Sequence, residues 1–373
     1  MYKLLLSLFI VCSLRIIYSQ NDTAINITFL GDLDFGESYQ DNPKYNRGVN
    51  IIDAYGYDYM FENISDLFKN SNLTIANLET PLLPVRIEPI NSQKPYVHFS
   101  NGGSTIKYLK KYNINVLSLA NNHTIDLGYP GFGYTINELR NKMDYFGAGN
   151  NEEEASKPYI KSFVTVNDTF TVAVLSGFEY RRVYDSVYQF YSGKIKYGVN
   201  VISVDKISAQ VKEIKEKYKN VFIIFFPHWG RNYLWKTEKQ TETAHAVIDA
   251  GVDLIIGTGA HIMQEIELYN NKWIIYCIGN SIFNAPGRYK FFGRKPYSCI
   301  ATLEIKGSSK HIKLYPIYTD NLETDYRVRL LDEDEFDDCY SIIKNKSAGV
   351  NLFEKKVKKH KDDISNYFEI ILE

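Results

Sequence analysis

The sequence predicts an α/β layered protein, and three observations carry that prediction. Short apolar runs of strand length alternate with longer helix-like stretches along most of the chain. Most of the runs end in a turn with a polar or charged side chain, as in Gly31-Asp32, Asn77-Leu78-Glu79 and Asn121-Asn122-His123. Hydrophobic residues make up 45% of the chain and aromatic residues 14%, which excludes a disordered protein.

The elements follow in order. Residues 1–19 read as a secretory signal, with Lys3 as the positive start, an apolar run from Leu4 to Leu14 and a cut before Gln20. That run is shorter than the roughly 20 residues needed to span a bilayer, so a secreted product with no stable membrane span is expected. A retained anchor is the rival reading. Ile25 to Leu30 is the first strand, Leu73 to Ala76 the second and Val116 to Ala120 the third. Glu138, Leu139 and Arg140 lie in a helix between Gly133 and Gly147. Strands follow at Thr171 to Leu175 and Val221 to Phe226, the latter ending in Pro-His-Trp-Gly. Glu238 to Ala250 is a helix stopped by Gly251. Leu254 to Ile256 and Trp273 to Ile278 are the next strands.

The domain read this way spans 20–325. The acidic stretch Asp332 to Asp338 reads as a solvated linker within 326–373. Phe353, Val357, Ile364, Phe368 and Ile371 then recur at spacings that suit an amphipathic helix. Beyond the signal, Cys277, Cys299 and Cys339 read as buried thiols, and a Cys277–Cys299 bridge requires neighbouring strands. Sequons at Asn21, Asn26, Asn63, Asn72, Asn122, Asn167 and Asn345 suit a glycoprotein of a secretory pathway. The net charge of -1 gives no reason to expect nucleic acid as a partner.

Asp32, Glu79, Asn122, His123, His228, His261 and Asn280 each fall just past the end of an apolar run. Ligand sites in open α/β sheets lie outside the carboxyl ends of the strands. Taken singly, Asp32 is a helix cap, Asn122 a turn residue and His228 a rim imidazole. Their joint occurrence points instead to a divalent metal site, because carboxylate, amide and imidazole groups suit Mn, Zn or Fe. The other histidines, His98, His245, His311 and His360, lack such a setting and read as structural or surface residues. The Tyr-rich stretch from Tyr180 to Tyr197, with Arg181 and Arg182, reads either as a substrate-groove wall or as a surface loop.

At this point the chain resembles a known family. The matching segments are Phe29-Leu-Gly-Asp32, Ile75-Ala-Asn-Leu-Glu79-Thr-Pro-Leu82 and Ser118-Leu-Ala-Asn-Asn-His123-Thr-Ile-Asp126. The later ones are Pro227-His-Trp-Gly230, His245-Ala-Val-Ile-Asp-Ala-Gly251, Ile256-Gly-Thr-Gly-Ala-His261 and Gly279-Asn-Ser-Ile-Phe-Asn284. Over residues 25–320 they are similar to CapA proteins, the capsule or poly-γ-glutamate biosynthesis proteins of the calcineurin-like metallophosphoesterase superfamily. The resemblance implies a four-layer α/β/β/α sandwich, here with a C-terminal helical appendage. It implies one or two divalent ions held by Asp32, Glu79, Asn122, His228 and His261. His123 would protonate a leaving group, Asp126 would orient it, and Asn280 would shape the rim. An Asn122 that faces a metal is an unlikely glycan acceptor.

Three positions depart from the pattern. Asp34 stands where the superfamily often has histidine, and it could serve as an oxygen ligand. Asn284 stands where aspartate often closes the last motif. Gly259 replaces the first histidine of an H-x-H pair, so a Gly259→His change is expected to raise second-metal affinity. The function implied is a secreted hydrolase of a phosphoester or a poly-γ-glutamate-like polymer, with an anionic small-molecule or polymer substrate. The alternative is a non-catalytic module that binds a polyanionic polymer or glycan.

Overall fold

A computed structural model describes residues 24–40, 48–84, 94, 96–164, 169–283, 288–347 and 350–372. The signal reading of 1–19, the sequons at Asn21 and Asn167, and Asn284 lie outside the described residues.

Two mixed sheets stack face to face, with helices on both outer faces. The large sheet runs in the order Val357–Lys361, Asn366–Leu372, Ser309–Tyr318, Tyr297–Lys306, Ile25–Asp34, Leu73–Leu78, Val116–Ser118, Asp144–Phe146. Asn280–Phe283 also pairs with the end of Ile25–Asp34. The small sheet runs Ile266–Tyr269, Lys272–Ile275, Leu254–Ile256, Val221–Phe225, Thr169–Leu175, Tyr159–Val164. Strand side chains alternate between faces, and central runs such as Leu73–Leu78 and Val221–Phe225 are largely apolar because both faces are covered. Ile27 and Phe29 therefore enter the layer between the sheets, where Ile224 and Phe226 meet them. The Phe29 and Phe226 rings are 5.4 Å apart. Leu30, Ala76 and Leu117 face outward under the helices Gly102–Lys111 and Gly128–Leu139. Ile223, Phe225 and Ile255 face outward under Val204–Lys217 and Glu238–Asp249. This is the four-layer α/β/β/α sandwich that was expected.

Most strands lie where the sequence placed them, with differences at the edges. Asp32 is inside the strand Ile25–Asp34 rather than beyond it. The helix expected around Glu138 begins as early as Gly128, because Pro130 sits in its first turn, where a missing N–H costs nothing. Cys277, Cys299 and Cys339 are buried free thiols. Among the described residues no helix is long and apolar enough to cross a membrane.

The C-terminal region needs two corrections. The acidic stretch is not a solvated linker but the first half of the helix Glu333–Lys346. Asp332 caps it in a reciprocal box with Glu335, and acidic side chains suit a helix N-terminus. Phe336, Cys339 and Ile343 of this helix are buried in the main core. A short helix, Val350–Lys356, follows, but helix does not continue to Ile371. Val357–Lys361 and Asn366–Leu372 form a hairpin that extends the large sheet. Phe368 and Ile370 point into the core at a period of two. The spacing of four and seven admitted a helix, while the turn at Asp362, which accepts from Ile364 N and Ser365 N, decides for strands.

Candidate metal centre

The carboxyl ends of the parallel strands in both sheets point to one place. In the large sheet, Asp32 lies opposite Asn280 on one neighbour and Asn77 on the other. A bulge between Leu30 and Asp32 shifts the register there, and such bulges re-aim side chains. Gly31 makes it possible, since a Cβ at that position would stand 1.8 Å from Gly279 O. Glu79 is the first residue past Leu73–Leu78. Asn122 and His123 follow Val116–Ser118 in a turn whose N–H groups bond to Asn121 Oδ1. In the small sheet, His228 and Thr258 lie side by side beyond their strands, and His261 follows.

Asp32, Glu79 and His261 each offer one ligand atom within 4.8 Å of the others. Asp32 Oδ2 is 3.1 Å from His261 Nδ1, and Asp32 Oδ1 accepts from Asn77 Nδ2 at 2.8 Å. Asn122 Oδ1 lies 2.6 Å from His228 Nε2. His228 Nε2 and His123 Nε2 are each 3.7 Å from Glu79 Oε1. Asn280 Oδ1 is 2.9 Å from His261 Nδ1. The backbone of His261 is left-handed, at φ 61, an uncommon state for a residue with a side chain.

The charges bear this out. Burial pushes Glu79 well above the usual carboxylate range, and the charge of Asp32 adds to it. Burial would also raise Asp32, but the His261 hydrogen bond and the charges of His261 and His228 outweigh it and hold Asp32 low. Burial pushes His228 down to about 3 despite Asp32, and it holds His123 well below the histidine range. Both Glu79 oxygens are buried with no hydrogen-bond partner. A buried carboxylate without a donor is costly unless a cation meets it. The donor set of carboxylate, amide and imidazole therefore fits a divalent metal ion.

His123 has its own support. Its Nδ1 is 2.6 Å from Asp126 Oδ2. Lys94 Nζ donates to Asp126 Oδ1 and to the carbonyl of Asn122, and lies 3.1 Å from His123 Nδ1. Asp34 does not join Asp32. Its Oδ1 accepts from Gly36 N, and its Oδ2 is 3.3 Å from His98 Nδ1.

All seven strand-end residues are thus brought together, with Asp126 behind them and Asp34 one step removed. Sequence reasoning missed Asn77, Lys94 and His98. Asn77 is visible in hindsight, near the end of the strand that Glu79 follows. His98, set aside as structural, stacks on His123 with ring centres 3.7 Å apart. Lys94 and His98 stand between the strands Leu82–Leu83 and Ser100–Asn101, and no local sequence signal marked them. The expectation for Gly259→His also changes. Gly259 has φ 99, and a Cβ there would stand 3.0 Å from the His228 ring. Its N–H instead donates to Asp32 Oδ2. A histidine at 259 would strain the turn rather than add a ligand.

Comparison with known proteins agrees with the order of these motifs. The family model described as bacterial capsule synthesis protein PGA_cap matches residues 26–285. The capsule biosynthesis protein CapA of Bacillus anthracis is 28% identical over 264 residues, 70% of this chain and 60% of that one. The PGA biosynthesis protein CapA of Bacillus subtilis (strain 168) is 28% identical over 272 residues, 71% of this chain and 64% of that one. The chain thus spans less than two thirds of either relative. Among solved structures, a phosphatase of Mycoplasma pneumoniae aligns at 14% identity and a TM-score of 0.37, covering 82% of this chain and 91% of that one. With the motifs in order along 26–285, the chain belongs to the PGA_cap family of bacterial capsule synthesis proteins.

Proposed function

We propose that this chain is a metal-dependent hydrolase of an anionic phosphoester or polymer substrate, working in the secretory or extracellular space. One observation carries the reading: Glu79 presents two unpartnered, buried carboxylate oxygens among Asp32, His228 and His261. Asp32, Glu79, Asn122, His228 and His261 would hold one or two divalent ions. When bound, such an ion supplies Lewis-acid stabilisation of the substrate and acidifies a water.

The rest falls to the chain's own residues. Asp126 accepts from His123 Nδ1, so that Nε2 faces Glu79 and the centre. Lys94 neutralises Asp126 and holds the carbonyl of Asn122, which fixes the two neighbouring groups relative to each other. His123 is then placed to move a proton at the leaving group. Arg181, half-buried, bonds the carbonyl of Gly230 and pairs with Glu179, which fixes the turn that carries His228.

The second reading is a binding module without turnover. Gly259 favours it, because that position offers a backbone N–H to Asp32 and no side-chain ligand. Metal analysis and kinetics on the purified full chain decide. Manganese, zinc or iron should copurify, and bis-p-nitrophenyl phosphate should be hydrolysed. His123→Ala should keep the metal and lose about 10²–10⁴-fold in turnover. Metal without turnover in the wild type would leave the binding module. Absence of metal after reconstitution would remove the hydrolase.

A further inference from the structure

The Tyr-rich stretch is not a plain loop, and only its first part, with Arg181 and Tyr184, borders the metal centre. It holds a short helix, Arg182–Ser186, and folds back on itself through Tyr191, whose hydroxyl donates to Glu179 O and accepts from Arg181 N. Folding back in this way brings Tyr188, Phe190 and Tyr197 opposite Tyr129 and Pro130 at the start of the helix Gly128–Leu139. Between them lies a pocket of about 250 Å³.

Its inner end is made by Lys94 and Asp126, the two residues that back His123. Lys94 Nζ stands 5.3 Å from the centre of the Phe190 ring. The Tyr129 and Tyr197 rings are 4.8 Å apart and tilted by 59°. Tyr129 is 64% exposed, so its ring closes the pocket without being needed by the core. Gln189, at the mouth, has φ 58, a state that favours glycine and that costs a residue of this shape free energy.

Three properties limit what fits. The volume is below the roughly 300 Å³ of common ligand pockets, so one monomer unit enters and not an oligomer. The walls are aromatic, from Tyr129, Tyr188, Phe190 and Tyr197, and three of these rings carry a hydroxyl. The charges at the inner end cancel, since Lys94 is already paired with Asp126. A carboxylate side chain would meet Asp126 as much as Lys94. An uncharged ring with an apolar face and a polar perimeter meets neither objection.

We propose that this pocket receives a single sugar ring. The pocket lies on the Nδ1 side of His123, away from the centre, so its occupancy is independent of the hydrolase reading. The test is saturation-transfer NMR on the full chain with methyl β-glucoside, N-acetylglucosamine and γ-glutamylglutamate as probes. At least one of the two sugars should take up saturation, and Tyr129→Ala and Tyr188→Ala should each reduce that signal at least about fivefold while the circular dichroism spectrum is unchanged. The exposed Tyr129 keeps the test sound if Tyr188→Ala folds poorly. No sugar signal, a sugar signal indifferent to Tyr129, or a dipeptide signal that depends on these tyrosines would each overturn the proposal. Metal content is measured on the same samples. A metal-free wild type with a tyrosine-dependent sugar signal sinks the hydrolase reading and keeps the pocket; metal with turnover but no sugar signal does the reverse.

Discussion

Glu79 and Gly31 show how single positions set the centre. The carboxyl of Glu79 is raised by burial and by Asp32, so the folded chain keeps a proton that the unfolded chain has released above its ordinary value of 4.5. Stability from this group is therefore complete below pH 4.5 and is lost as pH rises through the folded value. Above about pH 7 the depressed histidines are neutral whether folded or not and no longer contribute a slope. Glu79→Gln should accordingly gain melting temperature relative to the metal-free wild type as pH rises above 4.5. A difference between the two that does not change with pH would contradict this. Gly31→Ala should destabilise by about 3 kcal/mol or more, the upper end of overpacking penalties, because the new Cβ meets the Gly279 backbone. Urea unfolding measures it. At this scale the sequence made the proposed ligands legible because carboxylate and imidazole groups are out of place at the ends of apolar runs. It left Lys94 and His98 illegible because nothing local distinguishes a loop lysine that will be buried from one that will not.

The C-terminal helix and hairpin show where periodicity alone runs out. Phe353, Val357, Phe368 and Ile371 fit a helical stripe on paper, yet Val357 and Phe368 face the core from two antiparallel strands while Ile371 is exposed. Residue spacing is compatible with both structures when the apolar positions are sparse, and only the turn between them arbitrates. The acidic run was misread for a related reason: charge marks a solvated face, and one face of a docked helix is solvated too. That helix yields a prediction of its own. Arg329 bonds both oxygens of Glu335, at 2.6 and 2.7 Å, and holds its carboxyl below the usual range. The folded value being depressed, the contribution is present above the unfolded value of 4.5 and is lost as pH falls through the folded one. Glu335→Gln should lower the melting temperature at neutral pH, and the deficit should close in acid. A deficit that persists in acid would assign it to the capping bond with Asp332 instead.

At the scale of the molecule, residues proposed as ligands come from both sheets: Asp32, Glu79 and Asn122 from the large one, His228 and His261 from the small one. An ion bound by them would tie the two layers across the core they share. A divalent ion at about 100 times its dissociation constant should stabilise the fold by about 2.7 kcal/mol. Calorimetry with manganese and then with a chelator checks this; Glu79→Gln should not respond. The layer order was readable from the alternation of runs, and the family motifs fixed which ends meet. Which strands neighbour one another, and that a hairpin extends the large sheet, depended on pairings far apart in sequence.

The row Asn280, Asp32, Asn77 has one more consequence. Three adjacent strands present polar groups at the same level, while the next position, Leu33, is fully buried on the opposite face. Sliding the first strand by one residue would drive a carboxylate into hydrocarbon and a leucine among imidazoles. The residues that would do the chemistry thus also proofread the alignment of the sheet during folding, so that a mis-registered molecule is penalised by the same charge that a correctly assembled one needs.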